Sequence, residues 1–309
     1  MVRFVVVIGL WTLSAALPPL VAADKDLFDY AAQAAAPAGT KRIAFICATG
    51  THGPRGNHEF LAGGIYLARR INAVYPQAHA VVYREDKWPA DLSQQDAVVV
   101  LLNHGARAAN DLTLQAAMER HAGFMAVHFG VEVNKGKEGD NYLKWMGGYF
   151  ETFYSVNPFW KPEIQVAEKH PTARGVKPFS VNDEWYYHMR FREEMKGVTP
   201  ILSAVAPENT VHFTDKPSDR GGNADVLRAV QAKEPQHLAW ADERPAGGHG
   251  FGFTGFHVFD NLGNDNFRTV LLNGVAWVSG LEIPEQGVPS AALSKADLEA
   301  LLDEAHPKP

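Results

Sequence analysis

The run Val98-Val99-Val100-Leu101-Leu102 allows few structures. Consecutive side chains of a strand point to opposite faces, so five apolar residues in a row leave neither face fit for water. Such a strand belongs inside a parallel sheet with helices over both surfaces. The flanking sequence supplies the rest of that sheet. Arg42–Ala48, His79–Arg84, Asp96–Asn103 and Gly123–His128 read as strands. Between the first two, Glu59–Tyr75 places Leu61, Ile65, Ala68 and Ile71 at helical spacing. Asn110–His121 reads as a helix capped by Asn110 or Asp111. Pro200–Val205, Gln236–Trp240 and His249–His257 read as later strands, and Asn264–Ser279 as a last long helix with Asn264 as its cap and Gly280 at its end. The expected fold class is α/β, a doubly wound and mostly parallel sheet. In such sheets ligands sit beyond the carboxyl ends of the strands, so the residues just after each strand are the ones to inspect.

The ends of the chain read differently. Arg3 precedes an apolar stretch from Phe4 to Leu20, which holds Pro18 and Pro19 and is followed by Val21-Ala22-Ala23. That order predicts a signal peptide over 1–23, cleaved after Ala23, and a periplasmic or secreted protein with no membrane attachment afterwards. A membrane anchor fits less well, because the run is short and ends in prolines. Residues 24–40 read as a linker with a short helix, 41–281 as one domain, and 282–309 as a tail in which Ser294 and Asp297 cap a short helix. A net charge of −6 gives no basic field for nucleic acid. The single cysteine, Cys47, cannot form an internal disulfide and sits in an apolar strand, where it reads as a small buried hydrophobe.

The chemistry-bearing residues gather where the strands end. After the first strand, the loop Thr49–Glu59 carries His52, His58 and Glu59 among glycines, without a phosphate-loop pattern. Asn103-His104-Gly105 follows the third strand and is a weaker signal. At the end of the fourth strand stands His128, with Glu132 four residues on, on the same face if the turn opens a helix. Imidazole there is suited to a general base or a metal ligand. The middle segment offers Asp183-Glu184-Trp185-Tyr186-Tyr187-His188-Met189-Arg190, a mixture of carboxylate, aromatic, imidazole and guanidinium groups that suits sugar recognition. Trp185 and Tyr187 read equally well as core packing. His257 ends the last strand, and the nearby Asp260 and Asp265 either orient it, hold a metal or cap the helix.

Several of these stretches resemble the trehalose-utilisation (ThuA-like) family. They are His52-Gly53-Pro54 through His58-Glu59-Phe60, His128-Phe129-Gly130-Val131-Glu132-Val133, Gly147-Gly148-Tyr149-Phe150-Glu151, Asp183 through Phe191, and Glu243-Arg244-Pro245 through Gly255. The resemblance covers about 41–281. It implies the class I glutamine amidotransferase-like fold, a variant of the flavodoxin-like sandwich. No cysteine stands at the strand-four turn, so thiolate chemistry on glutamine is not expected. It also implies sugar catabolism, in which a partner dehydrogenase first oxidises the sugar to a 3-keto derivative.

The resulting expectation is an enzyme acting on a keto-sugar or keto-glycoside. His128, Glu132 and His257 are the candidate catalytic residues. His52, His58, Glu59, Glu184, Tyr187, His188, Arg190 and Asp265 are the candidate substrate contacts. His58, His128 and His257 are also candidate ligands for a divalent metal, Zn or Mn, since imidazole and carboxylate suit both. A non-catalytic sugar-binding module, or an interaction protein that forms oligomers, is the alternative.

Overall fold

The computed structural model describes residues 25–211 and 223–307. The expected signal peptide lies outside the described residues.

In chain order the strands are β1 Lys41–Cys47, β2 Ala78–Arg84, β3 Ala97–Leu101, β4 Gly123–Val127, β5 Glu132–Val133, β6 Gly148–Glu151, β7 Phe159–Trp160, β8 Gln165–Val166, β9 Asp183–Glu184, β10 Arg190–Phe191, β11 Val198–Val205, β12 Pro235–Glu243 and β13 His249–Phe253. The helices are α1 Tyr30–Ala34, α2 Phe60–Val74, α3 Ala106–Asn110, α4 Leu112–Glu119, α5 Lys137–Met146, α6 Ala224–Gln231, α7 Asp265–Val278 and α8 Lys295–Ala305.

The main sheet has eight strands in the order β2-β1-β3-β4-β13-β12-β11-β8. The first five are mutually parallel, and β12, β11 and β8 add antiparallel neighbours along one side. The sheet is thus mixed, with the parallel half where the apolar runs lie. β1 shows why both faces are covered. Ile43, Phe45 and Cys47 join a core with residues of α2, α7 and α8, whereas Ala44 and Ile46 join one with residues of α3, α4 and α5. Cys47 is fully buried, and burial pushes its thiol pKa far up, so it packs as a hydrophobe.

Three local outcomes differ from the sequence reading. The expected helix over 110–121 is α4, capped as expected by Asp111, whose carboxylate accepts the Leu114 N–H at 2.8 Å, but a separate short helix, α3, precedes it. The last strand stops at Phe253 rather than His257. Helix α5 has no counterpart in the sequence reading, and it buries Tyr142, Trp145 and Met146 on one side. The tail forms α8 with the expected capping box between Ser294 and Asp297. It docks on α2 through an Arg69–Glu304 pair at 2.6 Å and on the loop before α2 through Arg55, which meets Glu299 and Asp303.

Among the described residues, no helix is long and apolar enough to cross a membrane.

Candidate functional site

Four side chains from distant parts of the chain meet at the carboxyl edge of the parallel strands. They are His58 from the β1–α2 loop, His128 after β4, Glu184 of β9 and His257 after β13. One nitrogen or oxygen atom from each lies within 4.8 Å of all the others. The three histidines are buried, and the Glu184 side chain keeps 13% of its surface exposed, so solvent reaches the group on that side.

Each imidazole is fixed by its other nitrogen. His58 Nδ1–H donates to the His52 carbonyl at 2.9 Å. His128 Nδ1–H donates to the Thr254 carbonyl at 2.8 Å. A carbonyl can only accept, so in the neutral form of either ring Nε2 is the nitrogen that carries the lone pair. His257 Nδ1–H donates to Glu184 Oε2 at 3.0 Å, and that oxygen is 3.4 Å from His128 Nε2. Asn157 donates to Glu184 Oε1 at 3.3 Å, and the Tyr186 hydroxyl donates to His128 Nε2 at 3.3 Å.

The backbone is shaped to bring these rings together. His58 and His128 take left-handed φ values of 53° and 51°. Such values are uncommon outside glycine, though histidine, asparagine and aspartate adopt them more readily than other residues, and they cluster at functional sites. His128 therefore sits on a sharp turn at the end of β4, as the nucleophile does in α/β hydrolases. Asp183 fixes the other side. Its buried carboxylate accepts the N–H groups of Glu184 at 2.8 Å, Phe256 at 3.0 Å, His257 at 3.0 Å and Val258 at 3.2 Å, and the Asn261 amide at 2.9 Å. These bonds replace strand ladder partners, which is why β13 ends early.

The electrostatics favour a neutral His58 and a charged Glu184. Burial, reinforced by the neighbouring His128 and His257, lowers the His58 pKa to about 3. Burial alone would raise the Glu184 pKa, but hydrogen bonds and charge from His128 and His257 outweigh it and bring it to about 2. Burial, with the Glu184 and Glu132 carboxylates nearby, holds the Tyr186 hydroxyl well above its usual range, so it stays a donor.

The donor set fits a divalent cation. Three imidazoles and a carboxylate suit zinc or manganese, and a ligating histidine characteristically gives its other N–H to a carbonyl or carboxylate, as all three do here. Donors on one tetrahedral zinc stand about 3.3 Å from each other, so the widest pair here would need to close by up to about 1.5 Å.

Other residues singled out in the sequence lie around this group or apart from it. His52 is exposed and stacks on His58 with ring centroids 3.7 Å apart. Glu59 accepts the Gly56 N–H at 2.9 Å and pairs with His306 of the tail at 2.8 Å. Glu132 does not share a helical face with His128, because the turn after β4 closes at Val131 and Glu132 enters β5, where it accepts from the Thr152 hydroxyl at 3.0 Å. Tyr187 is buried in the core and bonds Thr210 at 2.8 Å. His188 Nδ1–H donates to the Tyr154 carbonyl at 3.1 Å. Arg190 makes a two-pronged pair with Glu151 and lies 3.4 Å over the Tyr154 ring. Asp265 is exposed in the first turn of α7 and pairs with Arg268. Sequence reasoning had not singled out Asp183, Asn157 or Tyr186 individually. For Tyr186 a signal existed: in an extended segment Glu184 and Tyr186 share a face.

A mixed α/β sheet with a histidine–carboxylate centre at its carboxyl edge defines a broad class of protein. Within it, residues 58–278 match the ThuA family model, described as trehalose utilisation, and the chain belongs to that family. Its structure is similar to that of a putative ThuA-like protein from Bacteroides uniformis, with 16% identity, a TM-score of 0.51, and coverage of 79% of this chain and 93% of that one. A weaker similarity is to a cytoplasmic protein from Salmonella typhimurium, with 10% identity, a TM-score of 0.47, and coverage of 77% and 99%. No curated protein matches the sequence.

Proposed function

We propose that the His58–His128–Glu184–His257 group is the reaction centre of a carbohydrate-processing enzyme acting on a keto-sugar or keto-glycoside. The observation that carries this reading is the convergence of four ionisable side chains within 4.8 Å at the ligand edge of the sheet. Simple sugar binding calls for fewer buried imidazoles. The strand order β2-β1-β3-β4-β13 supports the finer fold reading, a flavodoxin-like doubly wound sheet of the glutamine amidotransferase type.

A ketone at C3 of a pyranose acidifies the proton on C2. Glu184 holds Nδ1–H of His257, which leaves Nε2 of His257 free to take that proton. The C2–H electron pair forms the enolate. Its return closes the C1=C2 double bond and expels the glycosidic oxygen from C1, which takes up a proton. The Tyr186 O–H, once released from His128 Nε2, would donate to oxyanion charge, an effect of order 10² to 10³ in rate. A divalent cation held by His58, His128 and Glu184 would supply positive charge at the ketone oxygen. A partner dehydrogenase would provide the 3-keto substrate, and export by the N-terminal leader would place the reaction in the periplasm or outside the cell.

The test is turnover of a 3-keto-disaccharide, followed by mass spectrometry, alongside elemental analysis of the purified protein. His128→Ala and His128→Gln should abolish turnover. Near-wild-type rates in either would remove His128 from the mechanism.

A further inference from the structure

We propose that Phe159 is the stacking platform for the sugar ring that enters the site, an inference that rests on the function proposed above. The short ribbon formed by β7 and β9 has two unlike faces. Trp160 pairs with Asp183, and Phe159 pairs with Glu184. Directly paired residues of antiparallel strands project to the same side. Trp160 and Asp183 are both buried, with the Trp160 Nε1–H bonded to the Trp185 carbonyl at 2.9 Å. Phe159 therefore shares the opposite face with Glu184, a member of the reaction centre.

Phe159 is 50% exposed, unusual for a phenylalanine on a strand anchored this firmly. The segment is pinned by reciprocal backbone bonds between Val156 and Tyr187, at 3.1 and 3.0 Å. The Phe159 ring meets His257 edge-on at a centroid distance of 4.6 Å. An apolar plane is thus held against a buried polar centre, with its free surface in water. A pyranose fits that pairing, because it presents a face of C–H groups and a rim of hydroxyl or keto oxygens. With the C–H face on Phe159, the rim reaches Glu184 and His257. Phe129 contacts the ring of His52, which itself stacks on His58.

The experiment compares wild type with Phe159→Ala, Phe159→Trp and Phe153→Ala. Phe153 is 57% exposed and serves as the control for loss of an exposed phenylalanine. Steady-state kinetics on a methyl 3-keto-glucoside, calorimetric titration with the same compound, melting temperature and sedimentation are measured for each. Phe159→Ala should raise KM about fivefold to tenfold, with a smaller change in kcat, and Phe159→Trp should restore KM. Phe153→Ala should leave KM unchanged. An unchanged KM in Phe159→Ala, or an equal loss in Phe153→Ala, would overturn the platform. So would a change in oligomeric state confined to Phe159→Ala, which would make the residue a subunit contact. A wild-type protein that neither binds nor converts the sugar overturns the proposed function itself, and the platform with it.

Discussion

Asp183 holds the backbone N–H of His257 at 3.0 Å from a carboxylate with no exposed surface. The next residue, Glu184, takes the ring Nδ1–H of the same histidine, also at 3.0 Å. One dipeptide thus sets both where His257 stands and which of its nitrogens is free.

Asp183→Ala would leave four backbone N–H groups without their acceptor. Bonds to a charged acceptor contribute about 1.5–3 kcal/mol each, and buried donors left unmade cost a similar amount. A loss of at least about 3 kcal/mol is expected in urea unfolding, with Asp183→Asn less severe because one carbonyl oxygen remains. A loss under 1 kcal/mol would mean that the loop after β13 is held by other contacts.

The sequence disclosed the sheet more fully than the site. Apolar runs such as Val98–Leu102 can only be strands buried on both faces, and the parallel half of the sheet follows from them. The rule that ligands sit at strand ends located His58, His128 and His257. It could not separate Glu184 from Glu59 or Glu132, because each is a carboxylate within a few residues of a histidine or an aromatic residue. Only the folded chain shows Glu59 spent on His306 and the Gly56 N–H. Asp183 was hidden for a different reason: its partners are backbone groups, which carry no mark in a sequence.

Stability of the metal-free protein should fall as the solution is acidified. His58 has a folded pKa near 3 against an ordinary 6.5. Between those values the unfolded chain binds a proton that the folded one refuses, so the unfolded state gains as pH drops. Glu184, near 2 against 4.5, adds a second loss at lower pH. Urea unfolding of chelator-treated protein should show stability declining from about pH 6.5 towards pH 3, and His58→Gln should flatten the upper part of that decline. Parallel profiles for the two proteins would show that His58 is not the group responsible.

Helix α8 is expected to hold the His52–His58 loop in place. It buries Leu298, Leu301 and Leu302, and reaches the loop through His306 on Glu59 and through Glu299 and Asp303 on Arg55. Truncation after Ser290 removes these three leucines and the buried Leu293, worth roughly 1.5–3 kcal/mol apiece. Hydrogen exchange at 52–60 should accelerate, whereas the strands of the sheet should stay protected. Unchanged exchange in that loop would separate the tail from the site.

Gly64 lies on α2 where a Cβ would come 2.2 Å from Cys47 Sγ. Gly64→Ala should cost about 1–3 kcal/mol through overpacking, despite alanine's better helix propensity. Cys47→Ala removes the obstructing sulfur, so the double variant should recover part of the loss. Strict additivity of the two changes in denaturant unfolding would contradict this contact.

The left-handed backbone at His58 and His128 has a consequence for engineering. Asparagine would occupy those two conformations with less strain and keeps an N–H donor for the carbonyl each ring bonds, so selection for heat resistance alone would favour replacing the imidazoles. A laboratory evolution campaign that scored only survival of heating would be drawn toward a sturdier but inert scaffold.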